Sequence, residues 1–539
     1  MYLYTDQELS RLLDQPIFRL LSATADDMGM ECYVVGGFVR DIFLQRLSKD
    51  IDIVVVGSGI DMAKAVRKRL KSKSHLSVFR NFGTAQLKIY KNKRKEQQGE
   101  KNGEHADKSL ELEFVGARRE SYQHDSRKPI VEDGTLEDDQ NRRDFTINAL
   151  AICLNGDRFG QLVDPFHGID DLQQGIIRTP LEPDITFSDD PLRMMRCVRF
   201  ATQLNFNIEE QTFEALCRNA ERLDIISGER IIDELNKIML ASTPSRGIYD
   251  LYRCGLLQRI IPELCPLDIV ETRNGRAHKN NFYHTLEVVD NVAKVQRKEE
   301  NEEKKKEREE DLKLTGVQAT KNDGERRENS LEEGELTPDE RKLFLRWAAL
   351  LHDIGKPQSK RWDNKTGWTF HNHNYIGMKM VKVIFRRLKL PMDARLHYVE
   401  LLVNLHMRPI AIADDVVTDS AVRRLMSEAG TYIDDLMTLC EADITSKSEA
   451  RKAMFRENFR LVREKLTDLA YRDWRRELQP CIDGNEIMQR FGLTQGPIVG
   501  ALKLCLKDAV LDNRVENTHE ALLALLDSEA AKRGLETKE

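Results

Sequence analysis

Two aspartates, Asp50 and Asp52, sit two residues apart in an apolar run that follows a glycine pair, Gly36-Gly37. In an extended strand, residues i and i+2 point to one face, so both carboxylates aim at one point. Convergent carboxylates beside a glycine turn form the donor set that Mg²⁺-dependent transfer from a nucleoside triphosphate requires. Taken singly, a glycine pair after a strand marks a turn, and an Asp-x-Asp pair marks a solvated edge. Their order and close spacing favour the chemical reading. The Gly36-Gly37 turn opens a helix start, where free backbone N–H groups and the helix dipole attract phosphate. Arg40, on the first helical turn, is placed to contact a triphosphate. Leu110–Val115 alternates as a strand does, and Glu113 within it is the candidate third carboxylate of a metal triad.

A second group of charges, Arg142-Arg143-Asp144, directly precedes the apolar run Phe145, Ile147, Ala149 and Leu150, so these side chains ride on a rigid element. Arg143 is a candidate phosphate ligand, and Asp144 and Asn148 are candidates to read a ribose. A third group spans Phe187–Phe200. Ser188 or Asp189 suits a helix N-cap and Pro191 suits the first turn. Asp190 and Arg193 are three apart and share a helical face, which Arg196 and Arg199 continue. On a surface this would be a capped helix with one ion pair. In a cleft it would select a base: a carboxylate accepts from the cytosine amino group and an arginine donates to base acceptors. A site that strands a polar group against the wrong base discriminates strongly.

In chain order the sequence shows VGGFVRD, DID, RRDFTINAL, DPFHGIDDLQQGIIR, DDPLRMMRCVRF and ERIIDELNKIML. This resembles the bacterial class II tRNA nucleotidyltransferases (the CCA-adding enzymes) and the related poly(A) polymerases, over residues 20–270. The resemblance implies an α+β protein, with a small mixed-sheet nucleotidyltransferase head followed by all-α neck, body, HD and tail domains. It implies CCA addition to tRNA 3′ ends from CTP and ATP with release of pyrophosphate. It further implies that Asp50 and Asp52 hold Mg²⁺ and that Gly37, Arg40 and Arg143 bind the nucleotide. Asp190, Arg193, Arg196 and Arg199 would form the nucleotide-selecting face. One departure stands out: the family's Glu-Asp-x-x-Arg reads Asp189-Asp190-x-x-Arg193 here, one methylene shorter at the first position. The motifs barely separate CCA addition from poly(A) or A-only addition.

Farther along come His284, then His352-Asp353 on an apolar stretch before Gly355-Lys356, then His371, His373, His406 and Asp443. Imidazoles and carboxylates suit divalent transition metals and Mg²⁺-like ions. The pattern resembles an HD-type phosphohydrolase domain. The resemblance implies His284, His352, Asp353 and Asp443 as ligands of a divalent metal, with His373 and His406 allowing a second; His373 is preferred over His371 because a helix start follows it. A contrasting reading makes this domain the main activity, beside a vestigial transferase head.

The positioning elements read as helices over 1–30, then strands at Tyr33–Val35, Ile51–Val56, Thr84–Ile89, Leu110–Val115 and Leu150–Leu154. A lysine-rich hairpin tip is expected over 91–108. Amphipathic helices follow, including Pro191–Leu204, Gly228–Leu240 and Ser245–Leu257. The expected divisions are 1–155 head, 156–270 neck and body, 271–450 HD domain and 451–539 helical tail. Residues 297–340 carry 10 basic and 16 acidic residues, matching the whole chain's net charge of −6. That segment reads as a charged insert, either disordered or a solvated helical excursion. The remainder is therefore neutral, which is compatible with basic patches for RNA. Nine scattered cysteines without a C-x-x-C pair argue for a reducing cytoplasm and against disulfides or a thiolate zinc site. No leader pattern or long apolar run is present, so no membrane partner is expected, and no obligate protein partner is evident.

Overall fold

A computed structural model describes residues 3–48, 50–70, 72–90, 109–121, 130–314, 336–414, 418–445, 448–477, 479–511 and 514–537. The expected hairpin tip at 91–108 lies outside these residues. The chain divides into two compact units, Met1–Asn404 and Leu405–Glu539.

The first unit opens with helices Asp6–Leu12, started by a Thr5/Glu8 capping box, and Pro16–Met28. They lead into a seven-stranded mixed sheet. Its order is Ser74–Phe79, Thr84–Tyr90, Ser109–Gly116, Asp50–Val55, Cys32–Val35, Ala151–Cys153 and Leu162–Val163. The strand Cys32–Val35 is buried throughout and antiparallel to both neighbours, whereas Asp50–Val55 runs parallel to Ser109–Gly116. All five expected strands form. Ser74–Phe79 was not anticipated, because it is a half-exposed edge strand with no buried apolar face to mark it. Leu162–Val163 pairs with Ala151–Cys153, so the sheet continues past the expected boundary at 155.

The DPFHGIDD segment docks the next layer onto this sheet. Asp164 accepts from the Gly168 and Ile169 amides at 2.7 and 3.0 Å, fixing the start of helix Gly168–Gln174. From that helix Asp171 accepts from the Thr146 hydroxyl at 2.7 Å. The turn Thr146–Asn148 is thereby held against that helix.

Helices then dominate. Leu192–Leu204 buries Met194, Met195, Cys197, Val198, Ala201 and Leu204, leaving Arg193, Arg196 and Arg199 as a polar stripe. Helix Gly228–Met239 packs across it. The remainder is not strictly all-α: Ile176–Ile177 pairs with Asn207–Ile208, and two small hairpins occur at Thr272–Ala277 and Arg361–Thr369. These ladders are two or three residues long, too short to show a period-2 pattern.

The charged segment continues helix Asn281–Leu314 as far as residue 314, and helix Pro338–Leu351 returns against it. The helical alternative therefore holds to residue 314, and 315–335 lie outside the described residues. Arg346, only 3 % exposed, donates to Gln296 and to the carbonyls of Met239 and Ala241 at 2.8, 2.6 and 2.7 Å. It ties the returning helix to the end of Gly228–Met239.

In the second unit, helix Met407–Asp414 packs on the long helix Glu449–Glu477, which is why the division falls near residue 405 and not at 450. Helices Gly484–Phe491, Pro497–Leu511 and His519–Ala531 enclose a core that includes Ile487, Leu502, Leu506, Leu522 and Leu526. All nine cysteines are free thiols. No helix among the described residues is long and apolar enough to cross a membrane.

Replacing Arg346 by leucine strands two buried carbonyls, each costing roughly 1–3 kcal/mol. Urea denaturation of Arg346→Leu should give a stability loss of about 3 kcal/mol; an unchanged midpoint would contradict this role.

Candidate active site

Strand register places the first carboxylates. Asp50 and Asp52 alternate with buried Ile51 and Ile53, so both lie on the accessible face. Parallel pairing sets Asp50 opposite Glu111 and Asp52 opposite Glu113, bringing four acids to one face. Lys88 neutralises Glu111 at 2.9 Å, which leaves Glu113 to the two aspartates. Burial, with Asp52 and Asp50 nearby, pushes the Glu113 carboxyl above its ordinary value. Burial also raises Asp52, helped by Asp50 and Asp139, while Arg143 opposes the shift. Such mutual repulsion is what a divalent cation relieves.

The glycine turn closes over this cluster. Val35 pairs with Asp52, so Gly36 follows at the strand end. Gly36 has φ +72° and ψ −135°, a conformation that L side chains rarely adopt. A Cβ there would stand 2.9 Å from Arg143 Nη1 and 3.4 Å from Asp52 Oδ2. Arg143 is aimed by Asp139, whose buried carboxylate accepts from its Nε at 3.0 Å and contacts Nη2 at 2.9 Å. Asp139 also accepts from Arg142 Nε at 3.0 Å. Sequence reading missed Asp139, although its i, i+3 and i+4 spacing from the two arginines was available as a signal.

The remaining candidates form one relay. Arg40 donates to the Asn148 side-chain oxygen at 2.8 Å and pairs with Asp41. Asn148 donates onward to Asp144 at 3.0 Å, and Asp144 accepts from Arg196 at 2.7 Å. Burial alone would raise the Asp144 carboxyl, but Arg196, Asn148 and Arg193 outweigh it and hold it low. Asp144 is thus a buried brace, 7 % exposed. Arg193 donates to the Arg142 carbonyl at 2.6 Å. Asp190 accepts from the Leu192 amide at 3.2 Å and lies 3.6 Å from Arg230; Pro191, and not Ser188 or Asp189, stands at the N-cap of the helix. Arg199 is drawn aside into an ion pair with Glu234 at 2.5 Å. Phe200, also unanticipated, carries the guanidiniums of Arg40, Arg196 and Arg199 at 5.2, 5.4 and 4.0 Å from its ring centre.

A separate cluster lies at the end of helix Pro338–Leu351. Asp353 Oδ2 is 3.3 Å from His352 Nε2 and 3.5 Å from His284 Nε2; its Oδ1 is 3.4 Å from His373 Nε2. His352 and His373 turn Nδ1 to the carbonyls of Ala349 and Phe370 at 2.8 Å each. Donation from Nδ1 leaves the Nε2 lone pair for a cation. Burial would raise Asp353, but His352, Lys356 and His284 hold it well below the carboxylate range. Lys356 approaches it to 2.6 Å. Gly355 is required by contact: a Cβ would meet the His373 carbonyl at 2.1 Å. His373 is buried whereas His371 is exposed. His406 and Asp443 belong to the second unit, where the buried His406 carbonyl accepts from the Cys440 thiol and Asp443 follows helix Ile433–Ala442.

Because the folded-state pKa of Asp144 is depressed, its stabilisation is present above the unfolded value near 3.8 and is lost as pH falls through the folded one. Asp144→Asn should lose about 3 kcal/mol at pH 7, with the deficit shrinking as pH drops below about 4. Denaturant titrations at both pH values check this; equal wild-type and variant stability at pH 7 would contradict it.

Three family matches tile the chain: a Poly A polymerase head domain over residues 32–178, a probable RNA and SrmB-binding site of polymerase A over 205–267, and an HD domain over 281–448. An A-adding tRNA nucleotidyltransferase of Deinococcus radiodurans is 32% identical over 394 residues, spanning 72% of this chain and 78% of that protein. A CCA-adding enzyme of Lactobacillus helveticus is 37% identical over 242 residues, spanning 44% and 53%. The chain spans only 25% and 29% of the longer A-adding relatives from Aquifex aeolicus and Geobacter sulfurreducens. In fold it is similar to a Thermotoga maritima CCA-adding enzyme complexed with tRNA, with a TM-score of 0.54 at 21% identity, covering 98% of this chain and 100% of that one. The glycine turn, the strand-borne carboxylates, the arginine helix and the HD cluster thus stand in a chain that belongs to the class II tRNA nucleotidyltransferases carrying an HD domain.

Proposed function

We propose that the chain adds CCA to tRNA 3′ ends from CTP and ATP, using Mg²⁺ held by Asp50, Asp52 and Glu113. The observation that carries this reading is the convergence of those three carboxylates beside the Gly36 turn. An all-oxygen donor set suits a hard cation. When bound, Mg²⁺ would supply charge neutralisation at the α-phosphate and activation of the RNA 3′-hydroxyl. The protein's own residues do the rest. Gly37, at the helix start, offers its backbone N–H to the triphosphate, while the Gly36 N–H is taken by the Leu150 carbonyl at 3.1 Å and fixes the turn. Arg40 and Arg143, both held by buried acceptors, neutralise it. The 3′-oxygen forms a bond to the α-phosphorus as the bond to pyrophosphate breaks, and the hydroxyl proton leaves to solvent. Positioning and electrostatics supply most of the acceleration.

Asp190, Arg193 and Arg196 are proposed to face the base. Arg199 is assigned a supporting role in this reading, since its ion pair with Glu234 braces the selecting helix. A-only addition is the second reading, favoured by the Deinococcus relative, which matches 72% of this chain against 44% for the Lactobacillus CCA-adding enzyme. Incubation of tRNA lacking its CCA end with CTP alone, then with both nucleotides, separates the two. Incorporation of C, then A, is expected; incorporation of A without C would overturn CCA addition.

We further propose that His284, His352, Asp353 and His373 hold a divalent metal for phosphoester hydrolysis, with His406 and Asp443 assigned as further ligands on sequence grounds. Three imidazoles and one carboxylate suit such a cation. Asp353→Ala should abolish metal-dependent phosphate release and leave nucleotide addition within about twofold. Loss of both activities together would contradict two separate sites.

A further inference from the structure

Beside the HD cluster, two hairpins assemble a surface that the hydrolytic chemistry does not use. In the hairpin Arg361–Thr369, Trp362 and Trp368 are register partners with ring centres 5.2 Å apart, edge to face. Arg273, from the hairpin Thr272–Ala277, lies 5.2 Å from the Trp362 ring centre, and Lys360 lies 5.2 Å from that of Trp368. His278 meets both Trp368 and Phe370 edge-on, at 5.9 and 5.5 Å. Arg276 donates to the Lys365 carbonyl at 3.0 Å, joining the hairpins. Across residues 271–279 and 360–370, six lysines and arginines stand against two acids, a net of +4. Of the acids, Asp363 is occupied within its own turn by Lys365 and Thr366, and Glu271 pairs with Lys360 at 2.8 Å.

This surface is continuous with the cluster. The Phe370 carbonyl holds His373 Nδ1, and Lys356 lies 5.8 Å from the Phe370 ring while contacting Asp353. Aromatic faces interleaved with cations are the means by which proteins hold single-stranded nucleic acid: bases stack and the backbone is neutralised. An acidic peptide would use the cations but not the ring faces.

We propose that the two hairpins form a stacking platform for the bases of single-stranded RNA, presenting a terminal phosphoester to the Asp353 cluster. This rests on the hydrolase reading above and names its substrate class. The test is photocrosslinking of the full-length protein, in EDTA, to a short single-stranded RNA carrying 4-thiouridine near its 3′ end. Crosslinks are expected in the peptide containing residues 361–370. Trp362→Leu should reduce their yield about tenfold and Trp362→Phe should restore it, with nucleotide addition unchanged in both. A polyglutamate of equal charge should not displace the RNA. Absence of crosslinks in that peptide, an unaltered yield in Trp362→Leu, or displacement by polyglutamate would overturn the proposal. Because EDTA silences hydrolysis, docking is read independently of it. Crosslinking without phosphate release from a 3′-phosphorylated RNA in added Mn²⁺ would sink the hydrolase reading and leave the platform standing.

Discussion

The architecture depends on a like-charge cluster held open by strand register. Pairing of Val35 with Asp52, and of Asp52 with Glu113, brings three carboxylates and the Gly36 turn together, with Arg143 as a cation that favours ionised Asp52. Burial and mutual repulsion raise Asp52 and Glu113, so the folded protein bears a cost there. That cost is sustained by the apolar core on either side, where Ile51, Ile53, Val34 and Phe114 are almost fully buried. Burying each such side chain contributes about 1.5–3 kcal/mol. Asp139 adds the directional element, since it fixes the cation that faces Asp52.

A second constraint joins the two chemistries. Helix Gly228–Met239 supplies Glu234 to Arg199 on one side. On the other it accepts Trp347 through Asn236 at 2.9 Å and Arg346 through the Met239 carbonyl. One rigid helix thus braces both the arginine-bearing helix and the helix that ends in His352-Asp353. The Arg346 bond is buried, the Trp347–Asn236 bond is partly buried and the Arg199–Glu234 pair is largely withdrawn from water, so the charged contacts resist salt screening in a way that a surface pair does not.

The sequence made legible whatever a short-range pattern encodes. Asp50 and Asp52 were readable from strand alternation, Gly36 from its place after an apolar run, and His352-Asp353 from adjacency on an apolar helix. Long-range geometry was not readable. Glu113 and Glu111 look alike in sequence; Lys88 and Gln86, partners of Glu111 across the sheet, separate them. Asp144 and Arg199 look like exposed charges, yet each is consumed by a partner more than thirty residues away. Asp190 reads as a helical neighbour of Arg193, whereas it stands in extended backbone between helices Pro183–Asp189 and Leu192–Leu204. Ser74–Phe79 and the two small hairpins escaped because edge ladders lack a buried face.

The most direct measurement is a thiol substitution at the central carboxylate. Asp52→Cys replaces a hard oxygen donor by sulfur, which Mg²⁺ binds poorly and Cd²⁺ binds well. Single-turnover nucleotide addition by this variant should fall at least about a thousandfold in Mg²⁺ and recover substantially on adding Cd²⁺. Near-wild-type addition in Mg²⁺, or a loss that no thiophilic metal relieves while Asp52→Ala remains active, would contradict a metal held at the strand face.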